Sequence, residues 1–265
     1  MAEEKTVNVG DFSIYNDKME TLIALLKERS DSGCSTSVVT LNPEIYLHAF
    51  KNKKHFGAIK SSDYIVADGT GIVWASEYYN CLLKNKLVRI LVSWYKMFFK
   101  KSNLVIKNKI TGVDLTLALC ATQFLPIKIY GSRLSSGRLA KENLLKMFPN
   151  LKIDVYENVE VNIDGQIIFE EKNNIYSEKC LLLLALGAPK QELLMQNLKN
   201  RLFPGTIVIG VGGTIDFISG KALRAPLFLR NMGLEWLFRL LTEPKRLLRI
   251  FNAIIVFPYY FLKKY

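Results

Sequence analysis

Four short stretches of the sequence place polar side chains and glycines directly after runs of apolar residues. In the stretch ADGTG, the carboxylate of Asp68 is of a type that accepts a proton from a hydroxyl group, and the neighbouring glycines let the backbone approach a bound molecule closely. The other stretches are TLNP, LGAPKQE and GVGGTIDF. Together the four supply the candidate site residues Thr40, Asn42, Asp68, Gly187, Gln191, Glu192, Gly212, Gly213 and Asp216.

Several of these residues also have an ordinary structural explanation. Asp68 precedes Gly69, and Asp-Gly pairs are common in turns, where the carboxylate caps the backbone. Glu192 would complement the dipole at the start of a helix, and Gln191 would then be solvated. The case for a site therefore depends on whether the fold brings the four stretches together.

The sequence argues against the common cofactor and metal sites. In GVGGTI, Ile215 replaces the third glycine of the dinucleotide-binding pattern G-x-G-x-x-G, and the full Walker pattern is absent. His48 and His55 are the only histidines, which disfavours histidine-rich metal sites and most Ser–His–Asp triads. We therefore predict neither a cofactor nor a bound metal.

Apolar, often β-branched runs alternate with segments of helical character, which indicates a chain that alternates strands and helices. The predicted strands are residues 35–41, 61–68, 127–131, 151–157, 179–187 and 205–213. The predicted helices are residues 42–52, 69–83, 111–124, 135–149 and 189–200. Most of these strands are continuously apolar, which is typical of a parallel sheet covered on both faces.

The predicted fold class is therefore α/β: a Rossmann-like, mostly parallel, doubly wound sheet with a C-terminal basic amphipathic helical appendage. In such sheets ligands bind beyond the carboxyl ends of the strands. We expect the four polar stretches to meet at that edge, with Gln191 and Glu192 facing a ligand at a helix N-terminus.

The net charge of +12 is concentrated in two segments. Residues 82–109 hold eight basic residues and no acid, and residues 221–265 hold nine basic and two acidic residues. Both segments are also rich in aromatic and aliphatic residues. Basic and apolar residues together favour an anionic membrane surface over nucleic acid as the partner, although nucleic-acid binding remains the simple alternative for a basic protein.

Three features predict a reduced, cytosolic chain that lies on a membrane without spanning it. The four cysteines are scattered, with no C-x-x-C pair, and the N-terminus is acidic and polar, unlike a signal peptide. No apolar run reaches the roughly 18 residues that a membrane-spanning helix needs. The best candidate, residues 251–262, is short and contains Pro258.

Three arginines in residues 224–251 could bind a diphosphate. Arg239, Arg246 and Arg249 recur at spacings of seven and three, close to one helical face if Pro244 only kinks or restarts the helix. Guanidinium groups can grip phosphates in a bidentate way. The simpler alternative is an amphipathic helix with a solvated basic face.

Seven blocks of the sequence match a known family in their order along residues 36–250. They are TLNPE, YIVADGTGIVWAS, ITGVDL, IYGS, LGAPKQE, IGVGGTIDFISGKALRAP and GLEWLFRLLTEPKRLLR. On these blocks the sequence resembles the WecG/TagA/CpsF family of bacterial glycosyltransferases. The resemblance implies inverting, metal-independent transfer of a sugar from a UDP-sugar to a polyprenyl-diphosphate-linked sugar, in the synthesis of cell-surface polysaccharide such as teichoic acid, capsule or O-antigen. N-acetylmannosamine, its uronic acid and glucose all occur as donor sugars in the family.

The resemblance also implies roles for single residues. It implies catalytic roles for Asp68, Thr40 and Asn42, with Asp68 as the proposed base, and places Gln191 near the nucleotide-sugar. The arginines are thought to close over the diphosphate. The predicted substrate-binding residues are Gly187, Gln191, Glu192, Gly212, Gly213, Asp216, Arg239, Arg246 and Arg249.

The sequence departs from the family in two places. Residues 82–108 form a basic, aromatic insertion that is longer than the family usually shows, and Lys109 stands where the family often has arginine. The insertion suggests an added membrane contact or a modified acceptor site. Residues 82–101, written as a helix, give an apolar stripe made of Leu83, Leu87, Ile90, Trp94, Met97 and Phe98. We expect an interfacial helix; the alternatives are a subunit interface or ordinary packing against the sheet.

The sequence thus predicts a glycosyltransferase body over residues 1–223 and a mobile, membrane-docking appendage over residues 224–265. The expected partners are a UDP-sugar donor, a lipid-linked polyprenyl-diphosphate acceptor and the anionic cytoplasmic face of the cell membrane, with a homo-oligomer possible. The alternative is a non-catalytic protein that binds UDP-sugar or polyprenyl phosphate at the membrane.

Overall fold

The computed structural model describes residues 5–99, 103–132, 135–170 and 176–265, apart from the side chains of Phe98 and Glu170. The strands are β1 (Thr6–Val9), β2 (Phe12–Tyr15), β3 (Thr36–Leu41), β4 (Tyr64–Ala67), β5 (Ile127–Tyr130), β6 (Ile153–Tyr156), β7 (Val159–Val161), β8 (Ile167–Glu170), β9 (Leu181–Leu184) and β10 (Ile207–Gly210). The helices of the first half are α1 (Met19–Asp31), α2 (Pro43–Lys51), α3 (Lys53–Lys60), α4 (Thr70–Tyr79), α5 (Lys86–Phe99) and α6 (Gly112–Thr122). Those of the second half are α7 (Ser136–Met147), α8 (Lys190–Leu198), α9 (Thr214–Ile218), α10 (Leu227–Met232), α11 (Glu235–Thr242), α12 (Leu247–Phe251) and α13 (Phe257–Lys264).

Eight strands form one sheet in the order β1-β2-β4-β3-β10-β9-β5-β6. In this sheet, as far as the structure describes it, β1 and β2 pair antiparallel and all the other neighbours pair parallel. The six strands predicted from the sequence are all present and all belong to this parallel part. The prediction of a Rossmann-like, mostly parallel α/β sheet is confirmed.

The sheet is buried because apolar side chains cover both of its faces. All six residues of β3 are buried, as expected for β-branched residues in a central parallel strand. Along β9, Leu182 and Leu184 pack into the core on one face, and Leu181 and Leu183 pack into the core on the other. Such alternation follows from the two-residue repeat of a strand, and it fixes the register of the central strands.

Some elements were not predicted. These are the antiparallel hairpin of β1 and β2, the separate hairpin of β7 and β8, and the helices α1, α3 and α9. Strand β1 is mostly exposed or half-buried, so its pattern lacks the continuous apolar run that marks the central strands. Helix α3 is separate because Asn52 interrupts the chain after α2, and its side chain accepts hydrogen bonds from the backbone of Lys54 and His55.

The C-terminal segment is divided between exposed helices and one buried helix. Helices α10, α11 and α12 contain no buried residue, and Pro244 opens a 3₁₀ turn (Pro244–Arg246) that separates α11 from α12. A π-helical stretch, Asn252–Val256, then leads into α13. In α13, Phe257 and Phe261 are fully buried in the main core.

The prediction that all of residues 224–265 form an appendage is therefore wrong for α13. Phe261 packs against the rings of Tyr46 and Trp74, at centroid distances of 5.7 and 6.2 Å. The hydroxyl of Tyr265 donates a hydrogen bond of 2.7 Å to Asp11. These contacts attach the end of the chain to the body. Full burial of two phenyl rings in the core removes more apolar surface from water than contact with a membrane surface would, and so gives the larger gain in free energy.

The insertion forms α5, whose faces differ from the prediction. Ile90, Trp94 and Met97 were expected to face a membrane, but they pack against the core, and Met97 is only 8% exposed. The ring of Trp94 lies 5.8 Å from that of Trp74 in α4. This face of α5 packs against α4 and not against a membrane because Trp74 presents a large apolar surface to it. Leu83 and Leu87 of the predicted stripe are exposed, and the exposed stripe of α5 continues from Leu87 through Leu91, Tyr95 and Phe99 at spacings of four residues.

The side chain of Phe98 and all of Lys100 and Lys101, which also belonged to the predicted interfacial helix, lie outside the described residues. Among the residues that are described, no helix is both long and apolar enough to cross a membrane.

The packing of α13 predicts a stability difference between two C-terminal substitutions. Phe261→Ala should lower the free energy of unfolding by about 3–5 kcal/mol, because it removes a fully buried ring and leaves a cavity. Leu248→Ala, at a side chain that is 75% exposed, should change it by less than about 0.5 kcal/mol. Denaturant titrations of both variants measure the difference, and equally small effects would show that α13 is not part of the core.

Candidate active site

A cavity of about 410 Å³ lies at the carboxyl ends of β3, β4, β9 and β10, a size usual for small-molecule sites. Its lining includes every residue predicted for the site except one. These lining residues are Thr40, Asn42, Asp68, Gly187, Gln191, Gly212, Gly213, Asp216, Arg239, Arg246 and Arg249. The exception is Glu192.

The four strands bring these loops together because they are neighbours in the sheet and run parallel to one another. In the register, Leu41 of β3 pairs with Ala67 of β4, and Gly210 of β10 pairs with both Val39 of β3 and Leu184 of β9. The residues that follow each strand therefore emerge side by side, as expected at the carboxyl edge of a parallel sheet.

Asp68 follows β4 and is the carboxylate best suited to proton transfer. Its backbone N–H donates to the carbonyl of Leu41 at 2.8 Å, and its Oδ2 accepts a longer hydrogen bond of 3.4 Å from the backbone of Gly112. Burial raises the pKa of Asp68 to about 6, and the Gly112 hydrogen bond and the charge of Lys109 only partly oppose this rise. The carboxylate is thus close to its titration point near neutral pH, as a general base requires.

Thr40 and Asn42 line the cavity while holding its backbone in place. The hydroxyl of Thr40 donates a 2.9 Å hydrogen bond to the carbonyl of Gly210, which links the ends of β3 and β10. The side-chain oxygen of Asn42 accepts a 3.0 Å hydrogen bond from the backbone of Ile45 and caps α2. Both residues therefore set the shape of the site next to Asp68.

Gln191 joins two of the loops through a single oxygen atom. Its Oε1 accepts hydrogen bonds from the backbone N–H of Gly187 at 3.2 Å and of Gly212 at 3.0 Å. Gly187 and Gly212 both have positive φ angles, of 77° and 48°, which suits glycine at each position. Gln191 is only 2% exposed, so the alternative that it is solvated is wrong.

Glu192 does not line the cavity, and this corrects the prediction that it faces a ligand. Its Oε1 accepts a 2.7 Å hydrogen bond from the amide of Gln191, and its Oε2 lies 3.0 Å from Nε2 of His55. His55 and Glu192 are both buried, at 0% and 1% exposure. Glu192 follows Gln191 on α8 and points towards α3, so its carboxylate lies behind Gln191. The hydrogen bond to this carboxylate fixes the orientation of the Gln191 amide.

Three arginines of the C-terminal segment also line the cavity: Arg239 from α11, Arg246 from the 3₁₀ turn and Arg249 from α12. Burial and the charges of Arg246 and Arg249 lower the pKa of Arg239, although Glu243 partly opposes this. Within the described part of the chain, Nε and Nη2 of Arg239 are buried without a hydrogen-bond partner. Crowded cations with unused donors suit an anionic ligand.

Each of the three arginines also has a carboxylate nearby, and Nε of Arg239 lies 3.7 Å from Oε1 of Glu243. Arg246 forms ion pairs with Glu243 and, at 4.0 Å, with Asp216. Arg249 donates to Glu44 of α2 through two nitrogens, at 3.2 and 2.5 Å. These pairs hold the exposed C-terminal helices against the body at the cavity.

The cavity also contains residues that were not among the predicted site residues. Lys109, Arg224, Trp74, Trp94 and Met97 all contribute to its lining. Arg224 donates 2.7 and 3.3 Å hydrogen bonds to Asp114 and Thr111. Arg224 and Trp74 fall inside sequence blocks that match the family, so the sequence could have identified them as site residues. Trp94 and Met97 come from the insertion, and only the packing of α5 reveals them.

Residues 5–99, 103–132, 135–170 and 176–265 contain no group of three His, Cys, Asp or Glu side chains that could hold a metal ion. Metal independence stays a prediction.

The hydrogen bonds of Gln191 predict an effect on stability. Gln191→Met should lower the free energy of unfolding by about 1–3 kcal/mol, because the buried N–H groups of Gly187 and Gly212 lose their acceptor. Gln196→Met, at an exposed position of the same helix, should have little effect. Denaturant unfolding of the two variants tests this, and equal stabilities would show that the shared oxygen contributes nothing.

Comparison with known proteins agrees with this geometry. A model of the glycosyl transferase WecG/TagA/CpsF family matches residues 7–97 and 89–265. The chain is 28% identical over 249 residues to a Bacillus subtilis (strain 168) protein named N-acetylglucosaminyldiphosphoundecaprenol N-acetyl-beta-D-mannosaminyltransferase, with 94% of this chain and 88% of the relative covered. A protein of the same name from Bacillus spizizenii is 27% identical over 254 residues, with the same coverage. These matches extend over almost the whole chain, and the protein belongs to the WecG/TagA/CpsF family of glycosyltransferases.

Proposed function

We propose that this glycosyltransferase moves an N-acetylmannosamine unit from a UDP-sugar to the N-acetylglucosamine of a polyprenyl-diphosphate-linked acceptor. The names of the two relatives support this choice of sugars and acceptor. The observation that carries the proposal is the pairing, in one cavity, of a half-buried carboxylate whose pKa is about 6 with three arginines.

The reaction is a single displacement with inversion. A hydroxyl of the acceptor sugar attacks the anomeric carbon of the donor, and Asp68 takes the hydroxyl proton as the new C–O bond forms. The bond between the anomeric carbon and UDP breaks, and its electron pair goes to the oxygen of the β-phosphate. A base is needed because a neutral hydroxyl is a weak nucleophile.

The arginines stabilise the charge that develops on the leaving diphosphate. Arg239 can supply this stabilisation without losing an existing hydrogen bond, since its buried Nε and Nη2 have no hydrogen-bond partner among the described residues. The backbone of Gly212 and Gly213 borders the same cavity and lets a phosphate approach closely. Preorganised donors of this kind commonly give the largest part of a rate enhancement.

The lipid tail of the acceptor requires contact with a membrane, and the exposed helices suit that contact. Large apolar side chains are exposed on α5 and on α10 to α12, including Leu87, Leu91, Phe228, Leu241 and Leu248. Basic residues accompany them in both segments. We infer that these helices lie on the anionic cytoplasmic face of the membrane, with the apolar side chains in the headgroup boundary.

Replacing Asp68 tests the proposed base. With UDP-N-acetylmannosamine and a short-tailed lipid-diphosphate N-acetylglucosamine as substrates, Asp68→Asn should lower kcat by about 10²–10⁴-fold and keep its affinity for UDP. The wild-type kcat/KM should fall about tenfold per pH unit below pH 6, where Asp68 becomes protonated, and level off above it. The kcat/KM of Asp68→Asn should not show this fall below pH 6. Turnover by Asp68→Asn near the wild-type rate would remove Asp68 from the mechanism, and wild-type binding without turnover would favour a non-catalytic binder.

The arginine scheme predicts that the activity does not need a divalent metal. After treatment with EDTA and gel filtration, the rate should stay within about twofold of the untreated rate, since Arg239 and its neighbours supply the positive charge. Arg239→Lys should lower kcat more than it raises the KM for the donor, because an ammonium cannot reproduce the guanidinium geometry. A complete loss of activity that Mg²⁺ or Mn²⁺ restores would contradict the scheme.

A further inference from the structure

The lining of the cavity contains two chemically different groups of residues. Asp68 and the arginines form the polar group. The apolar part of the lining includes a group from α4, α5 and the C-terminal helices, namely Trp74, Trp94, Met97, Ile250, Ile254 and Pro258. Nucleotide and sugar need hydrogen-bonding partners, which this second group scarcely offers. An apolar wall inside a site for a charged substrate indicates that part of the ligand is itself apolar.

Helix α5 is firmly attached where it contributes to this wall. Lys96 forms a 3.2 Å ion pair with Glu77 of α4, whose side chain is fully buried. Arg89 donates a 2.7 Å hydrogen bond to the carbonyl of Tyr78, and its guanidinium lies over the Tyr78 ring at 4.1 Å. These contacts hold α5 so that Trp94 and Met97 face the cavity.

The two groups adjoin each other along the chain. Arg249 is followed directly by Ile250, and Ile254 lies one turn later on the same helical segment; all three line the cavity. A ligand whose diphosphate contacts Arg249 would thus have apolar side chains beside the next atoms of its chain. A neighbouring face of α5 bears the exposed apolar stripe of Leu87, Leu91, Tyr95 and Phe99.

We propose that Trp94 and Met97 of α5, with Trp74 behind Trp94, bind the isoprenoid units next to the diphosphate of the lipid-linked acceptor. This rests on the proposed function for the identity of the acceptor. Flat, branched, apolar isoprene units match an indole and thioether surface in both shape and polarity. Helix α5 then separates the reaction centre from the membrane surface and leads the lipid tail from one to the other.

Acceptors that differ only in their tail test the proposal. N-acetylglucosaminyl diphosphates that bear a methyl or a geranyl group are compared in detergent-free solution, with UDP-N-acetylmannosamine as donor. In the wild type, kcat/KM should be at least about tenfold higher for the geranyl acceptor, since burying the tail stabilises the complex. Trp94→Ala and Met97→Ala should remove most of this preference, because they lower kcat/KM for the geranyl acceptor much more than for the methyl acceptor, while the KM for the donor stays the same.

Tyr95→Ala is the matched control, because it removes an aromatic ring from the exposed face of the same helix. It should keep the wild-type preference for the geranyl acceptor. Trp94→Phe, which retains an aromatic ring, should keep part of the preference. This variant tests the proposal even if Trp94→Ala does not fold. A loss of rate by Trp94→Ala that is equal for both acceptors, or a raised KM for the donor, would overturn the proposal in favour of sugar or nucleotide contact.

A binding measurement separates this proposal from the proposed function. Geranyl diphosphate and methyl diphosphate are titrated calorimetrically into the wild type, Trp94→Ala and Tyr95→Ala. Tighter binding of geranyl diphosphate, lost only in Trp94→Ala, would support the isoprenoid wall even if no sugar were transferred. Equal binding of the two diphosphates by the wild type would refute the wall, even if the transferase activity were present.

Discussion

Parallel pairing of β4, β3, β10 and β9 in a common register determines where the rest of the site lies. Gly210 of β10 pairs with Val39 on one side and Leu184 on the other, so β10 and β9 end together and β3 continues beside them to Leu41. Thr40 and Gln191 then connect the departing loops through hydrogen bonds to Gly210, Gly187 and Gly212. A slip of one residue in any of these strands would turn its buried side chains to the other face and separate these partners.

The buried group behind Gln191 shows how the fold protects this arrangement. The carboxylate of Glu192 lies between the Gln191 amide and the His55 ring, and all three side chains are almost completely buried. A glutamine amide can rotate to exchange its oxygen and nitrogen. A carboxylate accepts hydrogen bonds and cannot donate them when ionised, so Glu192 selects the orientation in which Oε1 faces the two glycines. This residue acts on the site through its neighbour.

Burial has opposite consequences for the two kinds of charge in the cavity. It raises the pKa of Asp68 to about 6, which favours the protonated acid, and it lowers the pKa of Arg239, which disfavours its cation. A bound anion would offset the second effect, since it would add negative charge beside Arg239, whose pKa the neighbouring Arg246 and Arg249 lower. The exposed C-terminal helices that carry these arginines stay at the cavity through ion pairs with the body, of which Arg249 with Glu44 is one.

The sequence alone determined the class of the fold and predicted most of the residues named here that line the cavity of the candidate site. Continuous apolar strands indicated a parallel sheet, and the rule that ligands bind at the carboxyl edge predicted that Thr40, Asp68, Gln191 and Gly212 would meet. These inferences succeeded because they depend on local patterns: a residue that directly follows a buried strand must lie at the edge of the sheet.

Only the tertiary structure decided which way each side chain faces. It turned Glu192 away from the cavity, brought Trp94 and Met97 of α5 into the lining, and buried Phe257 and Phe261 in the core. Helix α5 has apolar residues on two faces, so its periodicity could not show which face would be buried. That choice depends on the shape of the surface that a distant part of the chain presents, here Trp74 for α5 and Tyr46 for α13. Such packing between distant residues leaves no pattern in a single sequence.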